Sequence, residues 1–200
     1  MPHHSIDFDH RKATQTLNYF AQKAGGKISK MKALKLIFLA DRFHLRKYGR
    51  LVTNDFYVAM NYGPVPSTIL DIAKANVNQT YKAYASKYII ATDTGRQIES
   101  ISSVDNNYFS DSDIEALEFS WDNFGRYDRW SLSDFTHHYP EWKKHKEALD
   151  SGSKVENIDL LDFFEDPKGR INKCYELNDE ERNLRREQLA EYAYLESLWR

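Results

Sequence analysis

The sequence predicts a mainly α fold of the α+β class: a compact helical domain with small antiparallel β-hairpins and a C-terminal amphipathic helix. Three observations support this fold class. Apolar residues recur at helical spacing in several segments, capping residues and glycines flank those segments, and short β-type runs surround turn residues. The predicted helices span residues 9–24, 29–48, 67–76, 110–124, 131–138 and 141–149, and a last helix runs from 178 or 179 nearly to 200.

The first two helices have clear ends in the sequence. Residues 9–24 carry an apolar stripe, and a Gly-Gly pair follows them. Ser29 is a suitable N-cap for the second helix. Gly49 predicts that this helix ends near Tyr48, because glycine readily adopts the left-handed conformation that closes a helix.

Short strands are predicted in two places. Residues 50–53 and 56–61 form β-type runs on either side of an Asn-Asp turn. Residues 86–92 and 96–101 predict a hairpin around Asp-Thr-Gly. The stretch 151–157, SGSKVEN, has the composition of a linker.

The later helices are bounded by similar signals. Ser67 is predicted to cap a short helix, and Ser110 or Asp111 a longer one that runs through Phe124. Pro140 separates the two short helices that follow.

Composition limits the function classes. The chain has 200 residues, a net charge of −2 and one cysteine. A single cysteine forms no intrachain disulfide and no cysteine zinc site, and the charge gives no general attraction to nucleic acid or an anionic membrane. No signal peptide or membrane-spanning run is predicted, so we expect a cytoplasmic protein. The 13 Tyr, 11 Phe and 4 Trp weakly favour a binding protein.

One acidic residue lies on the apolar face of the second helix. On a helical wheel, Asp41 falls in the middle of a face that includes Leu34, Ile37, Phe38 and Leu45. An isolated buried carboxylate is costly, so Asp41 must have partners. We interpret it as a strut that accepts hydrogen bonds from backbone N–H groups or tyrosine hydroxyls of the loop YGPVPS. The alternative is a general acid or base with a shifted pKa.

A basic stripe occupies another side of the same helix. It consists of Lys32, Lys35, Arg42 and Arg46. Such a stripe is usually a solvated face, but it also suits an acidic groove on a partner protein or the phosphates of a nucleic acid.

Two Asp-x-x-His pairs are candidates for metal ligands, because this spacing places carboxylate and imidazole on one helical face. They are Asp41 with His44 and Asp134 with His137; a third, Asp7 with His10, lies near the terminus. Such pairs also arise by chance, and the further carboxylates that a metal site needs are not evident. We therefore predict no cofactor, no metal and no catalytic residues.

The segment KALKLIFLADRFHLRKYGRLVTNDFYVAMNYGPVPS, residues 32–67, resembles the signature of the Panacea domain, also called the SocA-like antitoxin domain. Residues 111–142 and the ending IDLLDFF resemble later parts of the same family. We therefore predict a domain over residues 9–165 and a C-terminal extension over 166–200 that carries the amphipathic helix. The matching residues of the signature are Lys35, Leu36, Ala40, Asp41, Arg42, His44, Leu45, Tyr48, Gly49, Thr53, Asp55, Tyr57, Tyr62, Gly63, Pro64, Val65, Pro66 and Ser67.

The resemblance implies an antitoxin, not an enzyme. Such a protein binds and neutralises a toxin encoded in the same operon, and a proteolytic adapter that delivers the toxin to a protease is the alternative. A metal-dependent hydrolase or a nucleic-acid-binding protein is less consistent with the residues. No membrane partner and no direct nucleic-acid partner are expected, and a homodimer is left open.

Two sets of residues are predicted to matter. A structural motif maintains the shape of the domain, and a second set contacts the partner. The structural motif is Asp41, His44, Tyr48, Tyr62, Gly63, Pro64 and Pro66, and the predicted partner contacts are Lys35, Arg42, Arg46, Tyr57, Tyr192, Leu195 and Trp199. The last three share the apolar face of the C-terminal helix, which docks either on its own domain or on a partner.

Overall fold

The computed structural model describes residues 8–92 and 94–198. It confirms a mainly α fold with small antiparallel sheets and a C-terminal helix. The helices are α1 (His10–Lys23), α2 (Lys30–Tyr48), α3 (Ser67–Ala73), α4 (Gln79–Ala85), α5 (Asp111–Phe124), α6 (Arg129–Thr136), α7 (Pro140–Lys143), α8 (Lys146–Asp150) and α9 (Asp179–Leu198). The strands are β1 (Lys27–Ser29), β2 (Tyr57–Met60), β3 (Gly63–Pro66), β4 (Ile89–Ala91), β5 (Gln97–Ser100) and β6 (Glu156–Asn157).

Helix α2 is the centre of the fold. Every residue from 33 to 46 is buried, so α2 is covered by protein on all sides over most of its length. Its ends agree with the sequence prediction: Ser29 precedes it in an extended conformation, and Gly49 follows with φ of 79° and donates its N–H to the carbonyl of Leu45. Helices α1, α5 and α6 and strand β3 pack around it.

The first sheet has the strand order β1-β5-β4, and all pairs are antiparallel. The hairpin predicted over residues 86–92 and 96–101 is confirmed as β4 and β5. Strand β1 was not predicted, because it is only three residues long between two helices. Ile28 and Ile98 face each other in this pair, and both are buried.

The second sheet has the order β3-β2-β6. The strand predicted at 50–53 is wrong: these residues form a loop whose N–H groups at Val52 and Thr53 bind a side chain instead of a neighbouring strand. The partner of β2 is β3, and β6 lies within the predicted linker. Strand β3 was not predicted, because it contains prolines at 64 and 66. An edge strand tolerates proline, since the backbone N–H groups on its unpaired side have no neighbouring strand to bind.

Most helix boundaries follow from caps. Ser110 and Asp113 form a reciprocal capping box at the start of α5, as predicted for Ser110. The predicted cap at Ser67 is wrong, because the carboxylate of Asp55 accepts the N–H groups of Thr68 and Ile69 at the start of α3.

Two other helical predictions need correction, and one helix was not predicted. Helix α6 begins earlier than predicted, since Asp128 accepts hydrogen bonds from the first-turn N–H groups. The helix predicted at 141–149 is divided into α7 and α8. Helix α4, which Asn78 caps, was missed in the sequence. Among the described residues, no helix is long and apolar enough to cross a membrane.

Gly63, at the start of β3, is required by two independent constraints. Its φ is 101°, which L side chains rarely adopt, and an added Cβ would lie 2.6 Å from Thr136 Oγ1 and 2.9 Å from Lys35 Nζ. The absence of a side chain at residue 63 therefore allows the hairpin backbone to approach α2 and α6 this closely.

We predict that Gly63→Ala destabilises the fold more than a glycine replacement that meets only the backbone constraint. Gly152 provides that control, because its φ is 109° and nothing lies within 4 Å of an added Cβ. Gly152→Ala should cost about 1 kcal/mol, and Gly63→Ala about 2–4 kcal/mol, because strain and overpacking add. Urea unfolding of both variants measures the difference, and equal costs would contradict the close approach.

Candidate functional site

Asp41 is completely buried and accepts hydrogen bonds on both carboxylate oxygens. Oδ1 accepts from the N–H groups of Val52 at 2.7 Å and Thr53 at 3.1 Å, and Oδ2 from the hydroxyls of Tyr57 at 2.7 Å and Thr53. The predicted burial is correct, but the predicted donors are not. They come from residues 52–57 rather than from the loop around Tyr62 to Ser67.

This geometry favours a structural role for Asp41. Burial raises the pKa of the carboxyl group, and the hydrogen bonds from Thr53, Tyr57 and Val52 oppose that rise because they stabilise the charged form. Both oxygens are occupied by groups of the chain, and no surface of the side chain is open to a substrate. Asp41 therefore fixes the loop that leads into β2.

His44, one turn along α2, joins the same helix to the start of α5. Nδ1–H donates to the carbonyl of Arg50 at 2.7 Å, and Nε2 accepts from the Ser112 hydroxyl at 3.0 Å. Burial lowers the pKa of His44 to about 4. The imidazole is therefore neutral near pH 7 and serves as a donor–acceptor bridge.

The hairpin of β2 and β3 is attached to three helices. Lys35 of α2 donates to the carbonyl of Pro64 at 2.6 Å, Ser133 of α6 to Tyr62 at 3.0 Å, and the Trp142 indole of α7 to Met60 at 2.8 Å. Lys35 is buried, and desolvation lowers its pKa to about 7.

The other motif residues differ in exposure. Gly63, Pro64 and Pro66 lie in the buried strand β3, whereas Tyr62, at the turn, is exposed. The hydroxyl of Tyr48, at the surface end of α2, binds Glu115.

Arg42 is buried, which corrects the predicted exposed stripe on α2. It forms a 2.8 Å ion pair with Glu141, and both side chains are 0% exposed. Its guanidinium also donates to the carbonyls of Glu165 at 2.6 Å and Lys173 at 3.1 Å, and it lies over the ring of Tyr139. These partners are more than 90 residues away along the chain.

Arg46 is buried beside Arg42. It donates to the carbonyls of Tyr175 at 2.7 Å and Phe163 at 2.9 Å and pairs with Asp166 at 2.6 Å. Lys35, Arg42, Arg46 and the buried Tyr57 thus contact the interior of this chain, and none of the four is exposed to a partner. The helical wheel located their side of α2 correctly, but it could not show that residues 163–175 cover it.

The first half of helix α9 docks on the rest of the chain through arginine side chains. Arg182 pairs with Asp166 at 3.1 Å, Arg185 donates to the carbonyl of Lys47 at 2.6 Å, and Arg186 pairs with Glu165. Beyond the half-buried Leu189, the described side chains of the helix are exposed.

The exposed end of α9 contains two of the predicted partner contacts. Tyr192 is 44% exposed, Leu195 46% and Leu198 61%. Trp199, the third predicted contact, lies outside the described residues.

The Asp-x-x-His pairs considered as candidate metal ligands are engaged with other groups of the chain. Groups of the loop after α2 occupy both side chains of the first pair: the N–H of Val52 binds Asp41, and the carbonyl of Arg50 binds His44. In the second pair, His137 stacks on Trp142 with ring centroids 3.7 Å apart. Within residues 8–92 and 94–198, no group of three or more His, Cys, Asp or Glu side chains could hold a metal ion. The single cysteine, Cys174, is buried, and desolvation raises the pKa of its thiol to about 11.

A surface that sequence reasoning missed lies beside the hairpin turn. We call it the aromatic–arginine surface and define it as Tyr62, Arg126, Tyr127, Arg129 and Trp130. Its three rings are exposed: Tyr62 contacts Trp130, Arg129 lies over Trp130, and Arg126 lies over Tyr127, a few residues earlier in the sequence. The signal in the sequence was the repeated Arg-aromatic pair in RYDRW, which had been included only in a family match.

These features define a helical domain with a buried polar centre and exposed aromatic surfaces. The family described as antitoxin SocA-like, Panacea domain, matches residues 34–143, just over half of the 200-residue chain. The chain therefore belongs to this family, which confirms the resemblance, indicates an antitoxin role and points to a non-enzymatic protein. No curated protein and no solved structure matches the chain significantly.

We predict that Asp41→Ala destabilises the protein by about 3 kcal/mol, because buried donors at Val52, Thr53 and Tyr57 lose their acceptor. Tyr57→Phe removes only one of these bonds and should cost about 1 kcal/mol. Urea unfolding gives both values. If the Asp41→Ala protein unfolds at the same urea concentration as the wild type, the structural role proposed for Asp41 is wrong.

His44 should make stability depend on pH. Its pKa is about 4 in the folded protein and near 6.5 when unfolded, so the unfolded state binds more protons between these values. Stability contributed by neutral His44 should be complete above about pH 6.5 and fall by roughly 3 kcal/mol as pH drops toward 4. The difference between wild-type and His44→Gln unfolding curves across this range isolates the contribution, and a constant difference would contradict it.

Proposed function

We propose that the protein is the antitoxin of a toxin–antitoxin pair and that it neutralises its toxin in the cytoplasm by binding it directly. The observation that carries this proposal is membership of the SocA-like antitoxin family. The partner would be a protein encoded in the same operon. The proposal assigns no reaction and no cofactor to the antitoxin.

The burial of the motif supports separate roles for two sets of residues: buried residues that maintain the fold and exposed residues that contact the toxin. Four charged or polar motif residues are buried and bind loops of this chain, so they determine the shape of the domain. They are Asp41, Arg42, His44 and Arg46. Contact with a toxin then has to come from exposed residues. Interfaces rely on a few large aromatic or apolar anchors, and the exposed end of α9 offers such residues.

We assign toxin contact to Tyr192, Leu195 and Trp199. Tyr192 and Leu195 are exposed and stand three residues apart, and Trp199 follows Leu195 four residues later in the sequence; both spacings place residues on one helical face. In this proposal residues 9–165 form the antitoxin domain. Residues 166–200 form an extension. Arginines in the first half of α9 attach it to the domain, and the exposed end of α9 contacts the toxin.

A proteolytic adapter, the alternative that the family resemblance implies, is the second candidate. The two functions differ in the fate of the toxin. A neutralising antitoxin leaves the amount of toxin unchanged, whereas an adapter lowers it.

Co-expression with the product of the neighbouring gene tests the proposal. We predict that this product stops growth when expressed alone and is harmless with the antitoxin, and that the two proteins co-purify at an unchanged toxin level. A neighbouring product that never binds would contradict neutralisation by direct contact. Rescue with a falling toxin level would instead identify an adapter.

The contact residues are tested by Tyr192→Glu with Leu195→Glu. This variant should bind the toxin at least about tenfold more weakly, because two anchors become charged. Ile101→Glu is the control, since Ile101 is 47% exposed and belongs to the loop after β5 rather than to α9. Equal binding by both variants would place the interface elsewhere.

A further inference from the structure

The chain has two exposed apolar surfaces of opposite charge. The aromatic–arginine surface carries two cations among its rings, and the end of α9 carries carboxylates beside its apolar residues. We propose that two copies of the protein pair reciprocally, with the α9 end of each copy docked on the aromatic–arginine surface of the other.

The aromatic–arginine surface is arranged before any partner arrives. The rings of Tyr62 and Trp130 meet edge to face with centroids 5.6 Å apart. Arg129 lies 5.1 Å over the ring of Trp130, and Arg126 lies 5.1 Å over that of Tyr127 and donates to its hydroxyl at 3.2 Å. Ordered aromatic and arginine side chains lose little further freedom on binding, which favours affinity.

The charge of this surface is positive. Its only carboxylate in sequence between the two arginines is Asp128, which is engaged at the start of α6. Asp128 accepts from the N–H groups of Trp130 at 2.7 Å and Ser131 at 3.1 Å, and from the Ser131 hydroxyl at 2.8 Å. Neither arginine forms an ion pair with a carboxylate in the described part of the chain. The surface therefore suits a partner segment that contains both apolar and acidic side chains.

The end of α9 has that chemistry. Tyr192, Leu195 and Leu198 are exposed at successive spacings of three residues, and Glu187 and Glu191 are exposed on the same side of the helix. An isolated helix that leaves such apolar side chains exposed is marginal in water. Docking on a basic aromatic surface would bury the apolar side chains and pair the carboxylates.

The two surfaces do not cover each other within one copy, since both are exposed there. They are also attached to opposite ends of α2. Lys32 binds the carbonyl of Gly125 next to the aromatic–arginine surface, and Arg185 of α9 binds the carbonyl of Lys47. Fifteen helical residues separate these anchors, or about 22 Å. Reciprocal docking would give a closed twofold dimer, since each copy supplies one helix end and one surface.

The dimer has a consequence for regulation that depends on the proposed function. The same helix end would contact either a second copy or the toxin. Free antitoxin would then keep its toxin-contacting helix end covered, and toxin binding would dissociate the dimer.

Charge reversal in the full chain tests the dimer without any toxin. The wild-type protein should sediment as a dimer whose dissociation increases with salt. Arg126→Glu with Arg129→Glu, or Glu187→Lys with Glu191→Lys, should each weaken dimerisation by at least about tenfold, because like charges then face each other. Mixing the two variants in equal amounts should restore the dimer, because both reciprocal contacts regain opposite charges.

Lys154→Glu with Arg170→Glu is the matched control, since both residues are exposed and belong to neither surface. This variant should dimerise as the wild type does, and circular dichroism should show all variants folded. A monomeric wild-type protein, reversal variants that still dimerise, or a mixture that stays monomeric would each overturn the proposal. None of these results bears on whether the toxin is bound, which the co-expression experiment decides separately.

Discussion

The fold depends on the burial of charged and polar side chains along a single helix. Asp41, Arg42, His44 and Arg46 occupy almost two turns of α2, and all four are inaccessible to solvent. Removing such groups from water is tolerated only where other groups of the protein replace the hydrogen bonds that water made to them. For Asp41 those replacements come from residues 52–57, soon after α2, and for Arg42 and Arg46 they come from residues 163–175, far along the sequence. Helix α2 therefore determines the positions of loops that no local preference would select.

The two sides of α2 organise different parts of the chain. Asp41 holds the loop at 52–57 and so sets the start of β2. Asp55, in the same loop, then accepts the first N–H groups of α3. On the other side, Arg42 and Arg46 bind carbonyl groups between residues 163 and 175. The extension is thereby attached to the helix that shapes the domain, and α9 emerges from a fixed position.

Sequence reasoning succeeded where a pattern is local and failed where a partner is distant. Helices α1, α2, α5 and α9 and the β4–β5 hairpin followed from periodicity and caps. The burial of Asp41 followed from its place on an apolar face. The donors to Asp41 and the partners of Arg42 and Arg46 did not, because a helical wheel gives the direction of a side chain and not what covers it. Strand β3 was concealed by its prolines, and β6 by a composition typical of linkers.

The interior position of the motif also explains why it identifies a family but not a partner. The signature residues that gave the resemblance include Asp41, Arg42, His44 and the Gly63–Pro66 strand, and these contact other parts of the same chain. In the contacts that we propose, a partner instead meets exposed residues such as Trp130 and Leu195, which lie outside the signature segment. Substitutions at such positions usually change stability little. A scaffold of this kind can therefore acquire new surfaces for unrelated partners while the buried network around α2 stays the same, because the energetic demands of the two sets of residues are separate.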